Sequence, residues 1–102
     1  MKFDKQVSSS QILANIGIET TSLLSFHTNI SGTISGTLYI EFAENAELGW
    51  VRDPDLDVAF SSPPTDAVFY DISKVAGKKA RIGIEVSSGS ARIQGEGFHK
   101  GI

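Results

Sequence analysis

The chain has 102 residues, a hydrophobic share of 40%, a charged share of 21% and a formal net charge of -3. That length and mixture describe one folded soluble domain, and the acidic balance argues against nucleic acid, which favours a basic partner. The absence of cysteine excludes disulfides and thiolate metal sites and suits a reducing cytoplasm, and no apolar stretch reaches the ~18 residues of a membrane span.

The first segment, "MKFDKQVSSSQ", has lysines but no apolar h-region, so it does not read as a signal peptide. Residues 1–11 are instead a candidate extended N-terminal arm that reaches across a neighbouring subunit. In "QILANIGIE", Ile12, Leu13 and Ile16 would also fit a helix turn, but Gly17 and the Ile-x-Ile around it favour a strand. Period-2 alternation then takes over. Leu24, Phe26, Thr28 and Ile30 share one face; Leu38, Ile40 and Phe42 share another, opposite Tyr39 and Glu41. Between these runs, Ser31-Gly32 and Ser35-Gly36 read as the turn of a β-hairpin.

Further along, "DVAFS" and "VFYDIS" are shorter strand candidates, rich in β-branched and aromatic residues. Asp53-Pro54 and Ser62-Pro63-Pro64-Thr65 mark loops, and Ala76-Gly77-Lys78 ends the run before it. "ARIGIEVS" places Ile82, Ile84 and Val86 inward, with Arg81, Gly83 and Glu85 outward. Ser87-Ser88-Gly89-Ser90 then reads as a second turn. One internal echo links the two glycine segments: Ser35-Gly36-Thr37-Leu38-Tyr39-Ile40 is matched in kind by Ser88-Gly89-Ser90-Ala91-Arg92-Ile93. Each segment reads as the far arm of a hairpin, and two such hairpins suit two stacked sheets. The expected fold is all-β: a single β-sandwich or jelly-roll-like domain over residues 1–102, with about seven or eight short antiparallel strands.

Chemical motifs fare poorly. Gly32-x-x-x-Gly36 is one residue short of a phosphate loop, lacks the following Lys and leads into a strand, so no helix N-terminus is offered to an anion. Asp53, Asp55 and Asp57 alternate like the first ligands of an EF-hand. Val58 stands where that loop needs Gly, and Pro64 where it needs Glu, so the EF-hand is rejected. A looser Ca²⁺ site stays open beside the simpler reading, a solvated acidic loop facing a partner. His27 and His99 have no metal-ligand companions at motif spacing, and no serine sits in Gly-x-Ser-x-Gly. The sequence therefore predicts no enzyme, no catalytic residue, no cofactor and no bound metal. Its candidate ligand or partner contacts are Trp50, Asp53, Asp55, Asp57 and Tyr70, with Trp50 and Tyr70 beside polar loops as a possible sugar-stacking platform.

Charge is unevenly spread. Residues 41–71 hold eight carboxylates against Arg52, whereas residues 72–102 hold six cations against Glu85 and Glu96. The two segments either neighbour each other within one fold or meet between copies in an assembly.

The order of motifs resembles a class of small all-β virion proteins encoded among bacteriophage structural genes. The resemblance runs from Gly36-Thr37-Leu38 through Trp50, Asp71-Ile72-Ser73, Arg81-Ile82-Gly83-Ile84 and Ser88-Gly89-Ser90 to Lys100-Gly101. It departs at "AENAELG", where an Asn/Asp-Gly turn is usual, and at Gly77-Lys78-Lys79, where an aromatic usually precedes the arginine strand. The resemblance implies a non-enzymatic structural role in the particle as a capsid, decoration, vertex or tail component. Its implied partners are other virion proteins and copies of itself, and its implied location is the virion. The alternative expectation is a carbohydrate- or receptor-binding β-sandwich module that meets a host-surface glycan.

Overall fold

Antiparallel pairing organises the chain. The computed structural model describes residues 2–17, 21–45, 47–61, 67–72 and 79–101, with backbone alone at 16, 21–26, 67–72 and 98–101. Among the described residues there are seven strands: β1 (Lys2–Val7), β2 (Gln11–Gly17), β3 (Thr21–Ala43), β4 (Val51–Arg52), β5 (Val58–Phe60), β6 (Ala67–Ile72) and β7 (Lys79–Gly101). A single 3-10 turn, Pro54–Leu56, separates β4 from β5. All seven strands belong to one sheet. The segment Gln11–Gly17 is a strand, as its Gly17 and β-branched neighbours suggest.

The register reveals four rows. β3 and β7 are 23 residues each and pair with one another from Thr21↔Gly101 to Ala43↔Lys79. Along the other edge of β7, β1 pairs with residues 91–96 and β2 with residues 79–84. Along the other edge of β3, β6 pairs with residues 24–29, β5 with 36–38 and β4 with 41–42. The rows thus run 2–17, 79–101, 21–43 and 51–72 across the sheet.

This arrangement corrects the hairpin reading. Ser31-Gly32 and Ser35-Gly36 lie inside β3, and Ser87-Ser88-Gly89-Ser90 lies inside β7. The two echoed segments are not arms of separate hairpins; they face each other across one ladder, with Ile34↔Gly89 and Ser35↔Ser88. A hairpin needs the chain to reverse and pair with itself, and neither stretch carries a Pro or an Asn/Asp-Gly turn to enforce that. The glycines serve close approach instead. A Cβ on Gly36 would stand 2.1 Å from the Glu85 carbonyl oxygen, and one on Gly89 would stand 2.1 Å from that of Thr33. Each strand's glycine lies against the other strand's backbone.

A β-bulge accompanies them. The register passes from Ser35↔Ser88 to Gly36↔Val86, so Ser87 is the extra residue on β7. The insertion switches which parity of β7 faces inward: Ala80, Ile82 and Ile84 before it, Ala91 and Ile93 after it. β3 keeps one parity throughout, with Ile30, Ile34, Leu38, Ile40 and Phe42 all buried. Two hydrogen bonds mend the ladder at this point. Ser87 Oγ donates to the Ser35 carbonyl at 3.0 Å, and the Val86 N–H donates to Ser10 Oγ at 2.9 Å.

The gap in the first row and the bulge in β7 fall along the same line. Ser8–Ser10 separates β1 from β2 opposite residues 85–90, and across β3 the β6 pairing ends at Asn29 and the β5 pairing begins at Gly36. A straight 23-residue strand would span about 75 Å. The molecule's longest extent is only 38 Å, so neither β3 nor β7 runs straight. The inward face supplies one core, in which Ile34, Leu38, Ile40, Ile82, Ile84, Ile93 and Val7 have no exposed surface.

The first residues of the candidate N-terminal arm are paired within the chain. Residues 2–7 form an edge strand of their own sheet, with Phe3 and Val7 in the core. The physical reason is the alternation Phe3-x-x-x-Val7, which places both side chains on the inward face. Lys5 shares that face, and its Nζ turns back to donate to the Ile12 carbonyl at 3.2 Å. A lysine on an edge strand, here exposed, guards it against indiscriminate pairing. The Ser62–Thr65 and Ala76–Lys78 breakers, and the side chains of Tyr70 and His99, lie outside the described residues.

Candidate interaction site

The turn from β3 to β4 is built by short polar residues and one glycine. Asn45 Oδ1 accepts from the Leu48 N–H at 2.9 Å, an Asx-type contact that curls the chain. Gly49 then takes a φ of 92°, in the region that favours glycine. The chain returns as β4, and Leu48 and Val51 are left 76% and 71% exposed. They are the exposed large hydrophobic residues among those described. Glu44, Glu47 and Asp55, close to them in sequence, are exposed as well.

The acidic triad does local structural work. Asp53 caps the 3-10 turn: its Oδ1 accepts from the Asp55 N–H at 3.1 Å, and its carbonyl accepts from Leu56 N–H at 3.1 Å. Its own N–H donates to the Ile40 carbonyl, which ties the loop to β3. Asp57 receives a two-pronged contact from Arg52, Nε at 3.0 Å and Nη2 at 2.9 Å. That carboxylate raises Arg52 above the ordinary guanidinium range. Asp55 is exposed. Among the described residues no group of three or more His, Cys, Asp or Glu side chains is disposed to hold a metal ion.

Behind the tip, the outer face of the sheet carries an arginine–aromatic cluster. Arg81 lies 4.2 Å over the Trp50 ring and donates through Nε to Glu41 Oε1 at 2.8 Å. Arg52 lies 4.4 Å over the Tyr39 ring and also pairs with Glu85. Tyr39 in turn lies against Gly83, its cross-strand neighbour, where any Cβ would enter the ring. The Arg52–Glu85 pair, with Glu85 exposed, is worth about 0.2–1 kcal/mol, whereas the Arg81–Glu41 pair is partly buried.

These contacts bear on two expectations. The charge split is partly absorbed within the fold, because Glu41 of the acidic segment meets Arg81 of the basic one. Arg52, the lone cation of its segment, meets Glu85. The side chain of Tyr70, one half of the expected sugar platform, lies outside the described residues. Trp50 is already stacked by Arg81, while Tyr70 pairs in register with Phe26, on a different stretch of β3 from the Trp50 turn. Trp50, Asp53, Asp55 and Asp57 lie around β4 and the 3-10 turn, while Tyr70 belongs to β6.

Sequence reasoning missed Leu48, Val51, Arg52, Arg81 and Tyr39 as members of this region. Tyr39 and Glu41 were legible as outward on β3, and Arg81 and Glu85 as outward on β7. Bringing them together required the β3–β7 register, which the hairpin reading obscured. No protein-family model matches the chain, and comparison with curated proteins finds no similar one. No helix among the described residues is long and apolar enough to cross a membrane.

Proposed function

We propose that the chain is a non-enzymatic structural protein of a bacteriophage particle, acting through protein–protein assembly. The observation that carries this reading is the Leu48–Val51 tip. A pair of exposed apolar side chains, with exposed carboxylates close to them in sequence, has the composition of a contact patch. The tip is held rigid by the Asn45 contact, Gly49 and the Asp53 cap, so docking it orders little new chain. The motif order from Gly36-Thr37-Leu38 to Lys100-Gly101 supplies the phage assignment.

The same reading takes the folded sheet as a jelly roll. On that reading the antiparallel rows of the single sheet, too long to lie straight within 38 Å, fold over into two layers. Such a body offers rigid loops at its ends for neighbours in a shell, vertex or tail. The neighbours are other virion proteins or further copies of the chain.

The experiment is incorporation into particles. Purified virions analysed by mass spectrometry are expected to contain the wild-type chain. The double variant Leu48→Ser, Val51→Ser is expected to fold with nearly unchanged stability, because both side chains already face water, yet to be depleted from particles at least about tenfold. Wild-type protein found only free in the infected lysate would sink the proposal. A Ser variant incorporated at the wild-type level would remove the tip from it.

A further inference from the structure

A second surface lies away from the tip, where β1, β7 and β3 run side by side on the outer face. There the register sets out two lines of polar side chains across the three strands. Lys2 stands opposite Glu96, and Glu96 opposite His27; Asp4 stands opposite Gln94, and Gln94 opposite Asn29. Together with Phe3 and Gly95 these residues line a groove of about 490 Å³. That volume is within the range of small-ligand sites, roughly 300–1,000 Å³.

Phe3 and Gly95 border the groove from within the strands, because the Phe3 side chain belongs to the core on the opposite, inward face. Gly95 faces Phe3 across the ladder, and any Cβ there would fall 2.2 Å from the Phe3 ring. Phe3 fills the space a side chain at 95 would take. The polar side chains around it sit on paired strands, so their Cα positions are fixed before any ligand arrives.

The charge inside the groove is nearly balanced. Arg92 grips Asp4 through Nε at 2.9 Å and Nη2 at 2.6 Å, and with Gln94 it holds the Asp4 carboxyl below the usual carboxylate range. Asp4 therefore stays ionised but is already matched by Arg92. Lys2 and Glu96 are directly opposed and offset one another. Among the described residues, Lys2, Asn29 and Glu96 have no side-chain hydrogen bond or ion pair, so their polar atoms are available to a ligand.

This set of groups selects by chemistry. A phosphate or nucleic acid would meet two carboxylates with only Lys2 unspent, and an apolar ligand would strip water from six polar side chains and give nothing back. A hydroxyl both donates and accepts, as do the Asn29 and Gln94 amides; Glu96 accepts and Lys2 donates. A neutral polyhydroxylated ligand satisfies all four. We propose that the groove across β1, β7 and β3 is a binding site for a neutral saccharide, with Asn29, Gln94, Glu96 and Lys2 as its hydrogen-bonding residues.

This site does not depend on the assembly role of the Leu48–Val51 tip and is distinct from the Trp50 stacking platform. The test is an ¹⁵N–¹H NMR titration of the full chain with glucose, galactose, N-acetylglucosamine and their β-linked disaccharides, with inorganic phosphate as the anionic probe. At least one neutral sugar is expected to shift the amide signals of Lys2, Asn29, Gln94 and Glu96 saturably, while phosphate leaves them in place. The double variant Asn29→Ala, Gln94→Ala loses two hydrogen-bonding groups and should bind that sugar about tenfold or more weakly. Thr33→Ala, on an exposed site of β3 outside the groove, should bind it unchanged. No shift with any sugar, shifts gathered at Trp50 instead, a phosphate response at the groove, or wild-type affinity in the double variant would each overturn the proposal.

Discussion

Replacing Gly89 with alanine is expected to destabilise the fold by about 3 kcal/mol or more, among the larger effects of any single substitution in a domain of this size. Two causes add. Gly89 has a φ of 85°, which strains any residue bearing a Cβ, and the new methyl would sit 2.1 Å from the Thr33 carbonyl oxygen. That oxygen belongs to the backbone of β3 and moves only if the ladder moves. Gly36→Ala meets the same obstacle at the Glu85 oxygen without the positive φ, so it ranks just below. Gly83→Ala comes third, because its methyl would meet the Tyr39 ring, and a side chain can swing aside. Gly17→Ala is the control: nothing lies within 4 Å of its Cβ position, so a change within about 0.5 kcal/mol is expected. Urea midpoints of the four variants give the order directly. If the glycines were ordinary turn residues, Gly36→Ala would fall beside Gly17→Ala.

The second large effect concerns the core at the centre of the two middle rows. Leu38 has no exposed surface and stands opposite Ile84 on β7 and Val58 on β5. Truncation to alanine removes buried methyl groups and leaves a cavity that paired strands cannot close, so a loss of about 2–5 kcal/mol is expected. A domain of this length has only about 5–15 kcal/mol in hand, so the variant should be partly unfolded at moderate denaturant. Val51→Ala removes a similar apolar group from a side chain that is 71% exposed and should change stability by less than about 0.5 kcal/mol. Chemical denaturation of both variants tests the face assignment, since equal losses would mean that the inward face has been misplaced.

How much of this was legible depends on the range of the interaction. Local alternation placed Ile40, Phe42, Ile82, Ile84 and Val86 correctly, because a strand's period of two is set within a few residues. The strand Gln11–Gly17 was legible for the same reason. The glycine segments were misread because Ser-Gly punctuation looks alike whether it closes a hairpin or lets two backbones touch inside a ladder. Only the neighbouring strand distinguishes the cases, and it lies some fifty residues away in sequence, at Ser88 for Ser35. The Ser8–Ser10 gap in the first row lies opposite the bulge region of β7, a property of register that is invisible to a linear scan.

The candidate site divides along the same boundary. Trp50, Asp53 and Asp57 stood out by residue type, and all three have defined partners at the β3–β4 end. Their partners Arg81 and Arg52 did not stand out, since an arginine on an outward strand face usually means nothing more than solubility. The groove was wholly hidden. Asn29, Gln94 and Asp4 come from three distant stretches, and none belongs to a motif.

The account rests on β3 and β7 continuing through their glycines as one paired ladder, and an engineered cross-link tests that most directly. The chain has no cysteine, so a pair introduced at Thr33 and Ser90 is the sole thiol pair present. Both positions are exposed and directly opposed, and opposed residues in an antiparallel ladder have Cα atoms about 4.5–5.5 Å apart, within disulfide range. Oxidation of Thr33→Cys, Ser90→Cys is expected to close an intramolecular disulfide nearly quantitatively, with native stability retained. A hairpin turning at Gly32–Gly36 would instead oppose Asn29 to Tyr39. Ready closure of Asn29→Cys, Tyr39→Cys, with no bond between 33 and 90, would contradict the account.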